Sequence, residues 1–433
     1  MKVVALDAGG ATLKAAVVAS GVTPTASILA NHVASTSANP SAVFMGQKLL
    51  ELERQRTKLR YLRPVQRLDK LKVDPTEHAL VVTASLLAPA VVNESMDQVV
   101  FEELGFQSYA RVSAAESCVV SYSEHCEREF QESLAAAKKP AKRSPGRKRR
   151  QQMKTEEPVT TPPPVLDDDP LRFSTSSCHL VVDSGFSFTH VVPVIDGKVH
   201  LPGVKRVDVG GKLLTNYLKE IVSYRQWNVM DDTPVINELK EALCYCSLEF
   251  ESDLKRYHSD RQERKHWVLP DFVRTFEGRC REDDMEEEEM QTDEQQTARP
   301  DDNEQALEMG VERVTVPEVL FNPSDIGINQ AGIAESIVQA VEACPEELSD
   351  AFYANILLVG GNTKIKNFRQ RLERDLRSLV PDDFDIELHE ASDPILAAWQ
   401  GCCSLAESAA LSERVVTKQE YEEHGSNICL RRF

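Results

Sequence analysis

Asp7 and Asp183 each close a short apolar run and open a glycine-bearing turn. Val3-Val4-Ala5-Leu6 leads into Asp7, Gly9-Gly10 turn the chain, and Leu13 to Val18 return as a second strand. The design repeats later: Val181-Val182 leads into Asp183, Ser184-Gly185 turn, and Phe188 to Val194 return. Turns of this kind line up successive backbone N–H groups into a nest for an anion. Two of them suggest a duplicated core in which a pair of phosphate turns face each other. The other reading is two ordinary β-hairpins with glycine at the bend. Phe186 stands in the second turn where a phosphate or metal site would welcome another polar group. A third signal is Ile356-Leu357-Leu358-Val359, a buried-looking strand that runs into Gly360-Gly361-Asn362-Thr363, followed by a helical pattern from Asn367 to Leu376.

Helices are needed to position these strands. Leu214, Leu218, Ile221 and Val222 recur at helical spacing after Gly210-Gly211, and the pattern resumes from Val235 to Phe250. Ser95 to Leu104 reads as another helix. Strands mixed with helices of this length imply an α/β fold.

The chain has 433 residues, enough for two large domains or one elaborate one. Its formal net charge of -19 argues against nucleic-acid binding by the surface as a whole, because phosphate contacts need Lys and Arg. None of the ten cysteines forms a C-x-x-C pair, which argues against a zinc ribbon and for a reducing compartment. Asp7 and Gly9-Gly10 break the apolar N-terminal region within a few residues, unlike a signal peptide. The most apolar stretch, Ala79 to Val92, holds Thr83, Ser85 and Pro89 and falls short of the roughly 20 residues a bilayer span needs. The expectation is a soluble protein.

Two segments lack the apolar residues to join a core. The first, KKPAKRSPGRKRR, carries Lys138, Lys139, Lys142, Arg143, Arg147, Lys148, Arg149 and Arg150, and a Pro- and Thr-rich stretch with acids follows from Pro158 to Pro170. The second, residues 282–304, holds twelve acids in twenty-three positions. Both read as disordered. The basic run is either a nuclear localisation signal or nucleic-acid tether, or a solvated loop. The acidic run either attracts basic partners or serves as a spacer.

At this point the residues resemble a family. The paired turns and LLVGGNT resemble the actin, Hsp70 and sugar-kinase superfamily, and EALCYCSLEF, VPEVLFNPSDIGI and VTKQEYEEHGSNICLRRF are similar to segments of the actin-related proteins. The stretch VGGKLLTNYLKEIVSYRQWNVMDDTPVIN, with DSGFSFTHVVP, resembles the nuclear members found in chromatin-remodelling complexes that exchange the Z-type histone variant.

The resemblance implies an actin-like fold of two duplicated α/β domains around a nucleotide cleft. Subdomain 1 would take residues 1–22, 64–125 and 397–433, and a reduced subdomain 2 residues 23–63. The basic and Pro-rich insertion would span 126–177. Subdomain 3 would take 178–209 and 329–396, and subdomain 4 would take 210–328 with the acidic insertion 282–304. ATP or ADP with Mg or Ca would lie between the hairpins. Asp7, Gly9, Gly10 and Lys14 would form the first phosphate loop, and Asp183, Ser184, Gly185 and Ser187 the second. Gly211, Lys240, Glu241, Gly360 and Gly361 would meet the adenosine side. Asp7 and Asp183 would hold the metal through water, and His190 would lie near the attacking water. His190 reads equally as a packed core residue, and Lys240-Glu241 as a helical pair without a ligand.

The chain departs from the family where hydrolysis would occur. Ala115 aligns with the glutamine that orients water in actin, Phe186 replaces a metal-side aspartate, Ala11 replaces a loop glycine, and Lys364-Ile365 replace the adenine-stacking pair. Residues 64–83 lack a tryptophan-bearing helix that relatives carry, and Val43 to Lys48 resembles only faintly the lobe that lines actin filaments. The resemblance therefore implies a non-catalytic nuclear scaffold, found also in the cytoplasm. It would bind ATP without efficient turnover and form no filaments. Its partners would be a Snf2-type motor ATPase, a HIT-type zinc-finger subunit and, indirectly, histones. An active ATPase, a cytoskeletal filament former and, more distantly, a sugar kinase are the rival readings.

Overall fold

The computed structural model describes residues 2–19, 22–30, 33–36, 43–45, 59–62, 73–84, 86–137, 171–259, 263–271, 275, 277–281 and 304–433. Two six-stranded sheets organise them. The first contains β1 (Lys2–Ala8), β2 (Thr12–Val18), β3 (Ser27–Ala30), β7 (His78–Ala84), β8 (Ser108–Ser113) and β18 (Val416–Thr417), in the order β18-β8-β7-β1-β2-β3. The second contains β9 (Cys178–Ser184), β10 (Thr189–Ile195), β11 (Lys198–Val199), β12 (Lys205–Val207), β16 (Ile356–Val359) and β17 (Leu388–Glu390). Its order is β11-β10-β9-β16-β17, with β12 on β10.

The two sheets share a plan. β1 pairs antiparallel with β2 and parallel with β7, and β9 pairs antiparallel with β10 and parallel with β16. Each thus joins an Asp-Gly hairpin to a parallel neighbour, which gives the duplication read from the sequence a structural basis. Two small sheets complete the chain. One joins β4 (Val33–Thr36), β5 (Val43–Met45) and β6 (Leu59–Leu62), and the other joins β13 (Lys265–Val268), β14 (Arg279–Cys280) and β15 (Ala306–Met309).

The helices are α1 (Ala90–Gln98), α2 (Ala114–Ala137), α3 (Gly211–Arg225), α4 (Thr233–Leu243), α5 (Phe250–Ser259), α6 (Glu312–Glu318), α7 (Phe368–Leu379) and α8 (Ala397–Glu407), with shorter ones between them. α8 is wedged between the main sheets. Trp399, Cys402 and Cys403 pack with Val3, Ala5 and Val81 of the first sheet, while Ala397 packs with Val181, Leu357 and Val359 of the second. α8 therefore turns apolar residues to both sheets and keeps a polar side toward α2, where Ser121 donates to Gln400 at 3.3 Å and Ser404 to Glu124 at 2.6 Å. Gly401 lets it cross α2 at backbone distance: a Cβ there would lie 1.8 Å from the Ser117 carbonyl oxygen.

A buried ion pair ties α7 to α6. Arg371 reaches both oxygens of Glu318 at 2.7 and 2.8 Å and also donates to the Ser247 carbonyl at 2.7 Å. Its guanidinium lies 4.8 Å from the Phe321 ring centroid. This geometry satisfies the charges that burial would otherwise penalise.

Several sequence expectations shift. The basic insertion, expected to begin at 126, begins later, because α2 continues to Ala137 through good helix formers such as Glu127, Glu129, Glu132 and Leu134. Part of the expected insertion before 178 is folded: Arg172–Thr175 forms a helical turn that buries Phe173. The basic residues Lys138 to Arg150 lie outside the described residues, as does 282–303 of the acidic run. Glu304, placed in that run, instead pairs with Arg279 at 2.9 Å. The helix expected over 235–250 stops at Leu243, and Cys244-Tyr245-Cys246 runs extended beside Lys366. The helix expected over 95–104 starts at Ala90 and widens at Val99 into a π-helical turn ending at Glu103. The pattern from 367 becomes α7, which runs on to Leu379.

All ten cysteines are free thiols, and nine are buried. No helix among the described residues is long and apolar enough to cross a membrane.

Candidate functional site

The two hairpin bends meet. A Cβ added to Gly10 would fall 2.5 Å from the Ser187 hydroxyl oxygen, so the first bend lies directly against the second. In each sheet the bend sits beside the C-terminal end of the parallel strand, the position where α/β sheets place their ligands. At the first bend Thr83 of β7 donates its hydroxyl to Asp7 at 2.8 Å and accepts the Ala8 N–H at 3.0 Å. At the second bend Gly360, which follows β16, presses on Asp183: a Cβ there would sit 2.3 Å from the Ser184 carbonyl oxygen and 2.8 Å from Asp183 Oδ1. Gly360 also has φ +92°, a conformation that glycine adopts without the Cβ penalty.

The acids differ in their partners. Asp7 is buried and holds the Lys14 ammonium at 2.8 Å across the hairpin. Asp183 is partly buried and has no ion pair among the described residues. Burial, followed by the nearby charge of Asp7, raises its carboxyl from 3.8 to about 6 despite the weaker pull of Lys14. The two carboxylates thus share one negative pocket with a single ammonium. A polyphosphate bound with a divalent cation suits such a pocket, because the cation balances the acids while Lys14 and the loop N–H groups meet the anion.

The second loop is braced from behind. The N–H groups of Gly211 and Lys212 donate to the carbonyls of Gly185 and Phe186 at 3.0 and 2.8 Å, so the start of α3 fixes its shape. Asn362 adds its side-chain amide to the Gly185 carbonyl at 2.7 Å and to the Ser184 hydroxyl at 3.1 Å. Neither Asn362 nor Thr83 was given a site role from sequence. Their positions just beyond a buried strand and at its end were the available signals. Phe186 is 37% exposed, an apolar ring at the loop where a carboxylate would have served a cation.

The adenosine-side residues divide. Gly361 has open space around its Cα, with nothing within 4 Å of an added Cβ. Lys240 is buried, and its ammonium is engaged within the protein by Thr215 Oγ1 at 3.0 Å, Asn237 Oδ1 at 2.9 Å and the Gly211 carbonyl at 3.3 Å. An ammonium has three protons, so a contact to ligand displaces one of these bonds. Glu241 is exposed and accepts from Asn237 at 2.7 Å.

His190 and Ala115 decide the chemistry. His190 is 5% exposed, lies opposite Asp183 in register, and has a buried Nε2 without a hydrogen-bond partner among the described residues. Burial, then the Arg206 charge, lowers it to about 4, so the ring is neutral near pH 7 and a weak proton acceptor. Ala115 is the second residue of α2, is 3% exposed, and belongs to the apolar cluster with Cys118, Val181 and Val359. Burial, followed by the charges of Asp183 and then Asp7, raises the Cys118 thiol, so the first turn of α2 lies within reach of both acids' charge. Glu116, one position on, turns away to accept from Arg414 and the Val199 N–H, both at 3.2 Å. The arrangement can hold an anion and a cation, but Ala115 offers no group to aim a water.

The Actin family model matches residues 63–433. The chain is similar to Actin-related protein 6 of Oryza sativa subsp. indica, 37% identical over 383 residues covering 84% of this chain and 79% of the relative. It is similar to Actin-related protein 6 of Arabidopsis thaliana, 36% identical over 374 residues with the same coverage. With the Drosophila melanogaster relative of that name it shares 42% identity over 249 residues, 57% of this chain and 60% of the relative. Two duplicated sheets with opposed Asp-Gly hairpins agree with these matches, and the chain belongs to the actin family and, within it, to the actin-related protein 6 group.

Proposed function

We propose that the protein is a nuclear actin-fold scaffold, a subunit of a Swr-type chromatin-remodelling complex that deposits the Z-type histone variant. The similarity to actin-related protein 6 relatives over 84% of the chain supports this reading. Its direct partners would be a Snf2-type motor ATPase and a HIT-type zinc-finger subunit, with histones met indirectly. Lys138 to Arg150 would direct it to the nucleus, with a cytoplasmic pool.

In the same reading the cleft binds ATP or ADP with Mg or Ca and turns it over very slowly. Asp7 and Asp183 would hold the cation through water, while Lys14, Gly9, Gly10, Gly185 and Ser187 would face the phosphates. The bound pair would supply charge that bridges the two hairpins. The observation that carries the slow turnover is Ala115: a buried methyl group stands where hydrolysis needs a positioned polar side chain. Loss of such a group typically costs about 10²–10⁴ in rate.

The test uses the full chain carrying an affinity tag, purified from its own nuclei. The expected result is co-purification with a Snf2-type ATPase and a HIT-type subunit, and loss of Z-variant deposition when the chain is depleted. Removing residues 138–150 is expected to shift the chain to the cytoplasm without unfolding it. Purification with cytoskeletal partners only, or brisk hydrolysis by the isolated chain that Asp183→Ala abolishes, overturns the reading.

A further inference from the structure

A second polar cavity, of about 640 Å³, lies outside the hairpin bends. Its walls are the end of α4 with the extended Cys244-Tyr245 segment, α5, the start of β13, Arg313 of α6, and the 364–367 loop. These walls are fixed to one another. Tyr245 N–H donates to the Arg313 carbonyl at 3.0 Å, Cys246 N–H to the Lys366 carbonyl at 2.9 Å, and Arg313 Nε to the Leu243 carbonyl at 3.1 Å.

The lining carries five cations, Arg256, Lys265, Arg313, Lys364 and Lys366, against two acids, Glu241 and Glu263. Glu241 already accepts from Asn237, and Glu263 stands 4.0 Å from Arg256. Arg256 also meets Asp253 at 2.9 Å, and Lys364 meets Asp393 at 3.2 Å. Lys265 and Lys366 have no acidic partner among the described residues.

The two phenols in the wall supply a further donor. Tyr245 and Tyr257 share a hydrogen bond of 2.8 Å. Arg313 donates to the Tyr257 oxygen at 3.1 Å and Arg256 to the Tyr245 oxygen at 3.3 Å. Each phenol has one proton. One proton makes the mutual bond, and the other has no acceptor among the described residues, whichever way the pair is oriented. Tyr257 is only 2% exposed and Tyr245 half-buried, so with Tyr257 donating the mutual bond the leftover proton belongs to Tyr245 in the cavity wall.

We propose that this cavity is an anion site for a compact, multiply phosphorylated small molecule, held by Lys265, Lys366 and the Tyr245–Tyr257 pair. The size falls within the range of small-ligand pockets, and convergent donors with few acceptors favour oxyanions. The site lies outside the hairpin bends and shares only its rim, Glu241 and Lys364, with the side on which adenosine is proposed to lie.

The probe is inorganic tripolyphosphate, titrated calorimetrically into the full chain at constant ionic strength. The parent is expected to bind, with affinity reduced at least 10-fold in the Lys265→Gln/Lys366→Gln double variant and 3- to 10-fold in Tyr245→Phe. Ser187→Glu sets a repelling carboxylate on the cleft loop and is expected to remove only what the bends bind, leaving a component of binding that the double variant abolishes. Thermal melts of each variant confirm that it is folded. The proposal fails if the parent does not bind, or if Ser187→Glu removes binding while the double variant keeps it. It fails also if replacing the exposed Lys198 weakens binding as much, which marks general attraction to surface charge.

Discussion

Asp183 and His190 stand opposite each other in register across β9 and β10, as Asp7 and Lys14 do across β1 and β2. The equivalent positions carry different chemistry. In the first hairpin the acid meets an ammonium at 2.8 Å. In the second it meets a buried ring that stays neutral. The second hairpin therefore carries a charge that the protein alone does not balance.

Asp183→Asn should stabilise the ligand-free protein at neutral pH. The folded carboxyl titrates at about 6 against 3.8 when unexposed to the fold, so the native state binds the extra proton between those values. Stability falls as pH rises through that window, and the full cost is present above it. The cost is on the order of 1–3 kcal/mol. Thermal melts should show the variant melting several degrees higher at pH 7, with the gain gone near pH 4. The same variant should lose any stabilisation that metal and ATP give the parent.

His190 works in the opposite direction. Its folded value of about 4 lies below 6.5, so the unfolded chain binds the proton first as pH falls. The stability from a neutral buried ring is present above 6.5 and lost as pH drops toward 4. In the parent this slope offsets that of Asp183. In Asp183→Asn it should stand exposed, as a melting temperature that declines between pH 6.5 and 4. Adding His190→Gln should flatten that decline, and a persistent decline would assign it to another group.

Ala115→Gln should not create an ATPase. The methyl sits among Cys118, Val119 and Val181, so a longer amide is buried in an apolar cluster before it reaches the bends. Overpacking and an unpaired amide each cost about 1–3 kcal/mol. Denaturant unfolding should register that loss while phosphate release stays at the parent rate. A rise of 100-fold would show that one missing side chain alone limits turnover.

Arg371→Ala should be among the most damaging single changes outside the cleft. It strands Glu318, which is 2% exposed, and removes the bond to the Ser247 carbonyl. Breaking a buried pair by removing one member costs about 3–5 kcal/mol. Chemical unfolding should report this, and Arg371→Lys should recover only part of it because an ammonium cannot make the paired contact.

What the sequence made legible depended on short-range pattern. The apolar runs before Asp7, Asp183 and Gly360 marked their strands because buried strands need continuous β-branched and aliphatic residues. That the two bends face each other followed from the repeated hairpin design, while the contact of Gly10 with Ser187 did not, since no spacing rule sets it. The helix over 235–250 was overextended because Leu248 fits a helical period, while the pairing of Tyr245 beside Lys366 is a long-range event. The end of α2 was missed for the opposite reason: residues 127–135 are helix formers but almost all exposed, with no apolar period to separate them from a solvated insertion. Lys240 shows a further limit, because its three internal acceptors come from two helices and cannot be counted before the fold is known.

The unbroken run of α2 from Ala114 to Ala137 has a mechanical consequence. Twenty-four residues at helical rise make a stiff rod about 36 Å long. Its root lies near the paired aspartates, pinned by the crossing at Gly401, and its tip is where the chain enters the lysine- and arginine-rich stretch. The first half of the rod is clamped to the body by buried Cys118, Val119 and Cys126 and by the Ser404 bond to Glu124 at 2.6 Å, so a partner gripping the chain beyond the exposed tip meets a rigid strut rooted at the cleft.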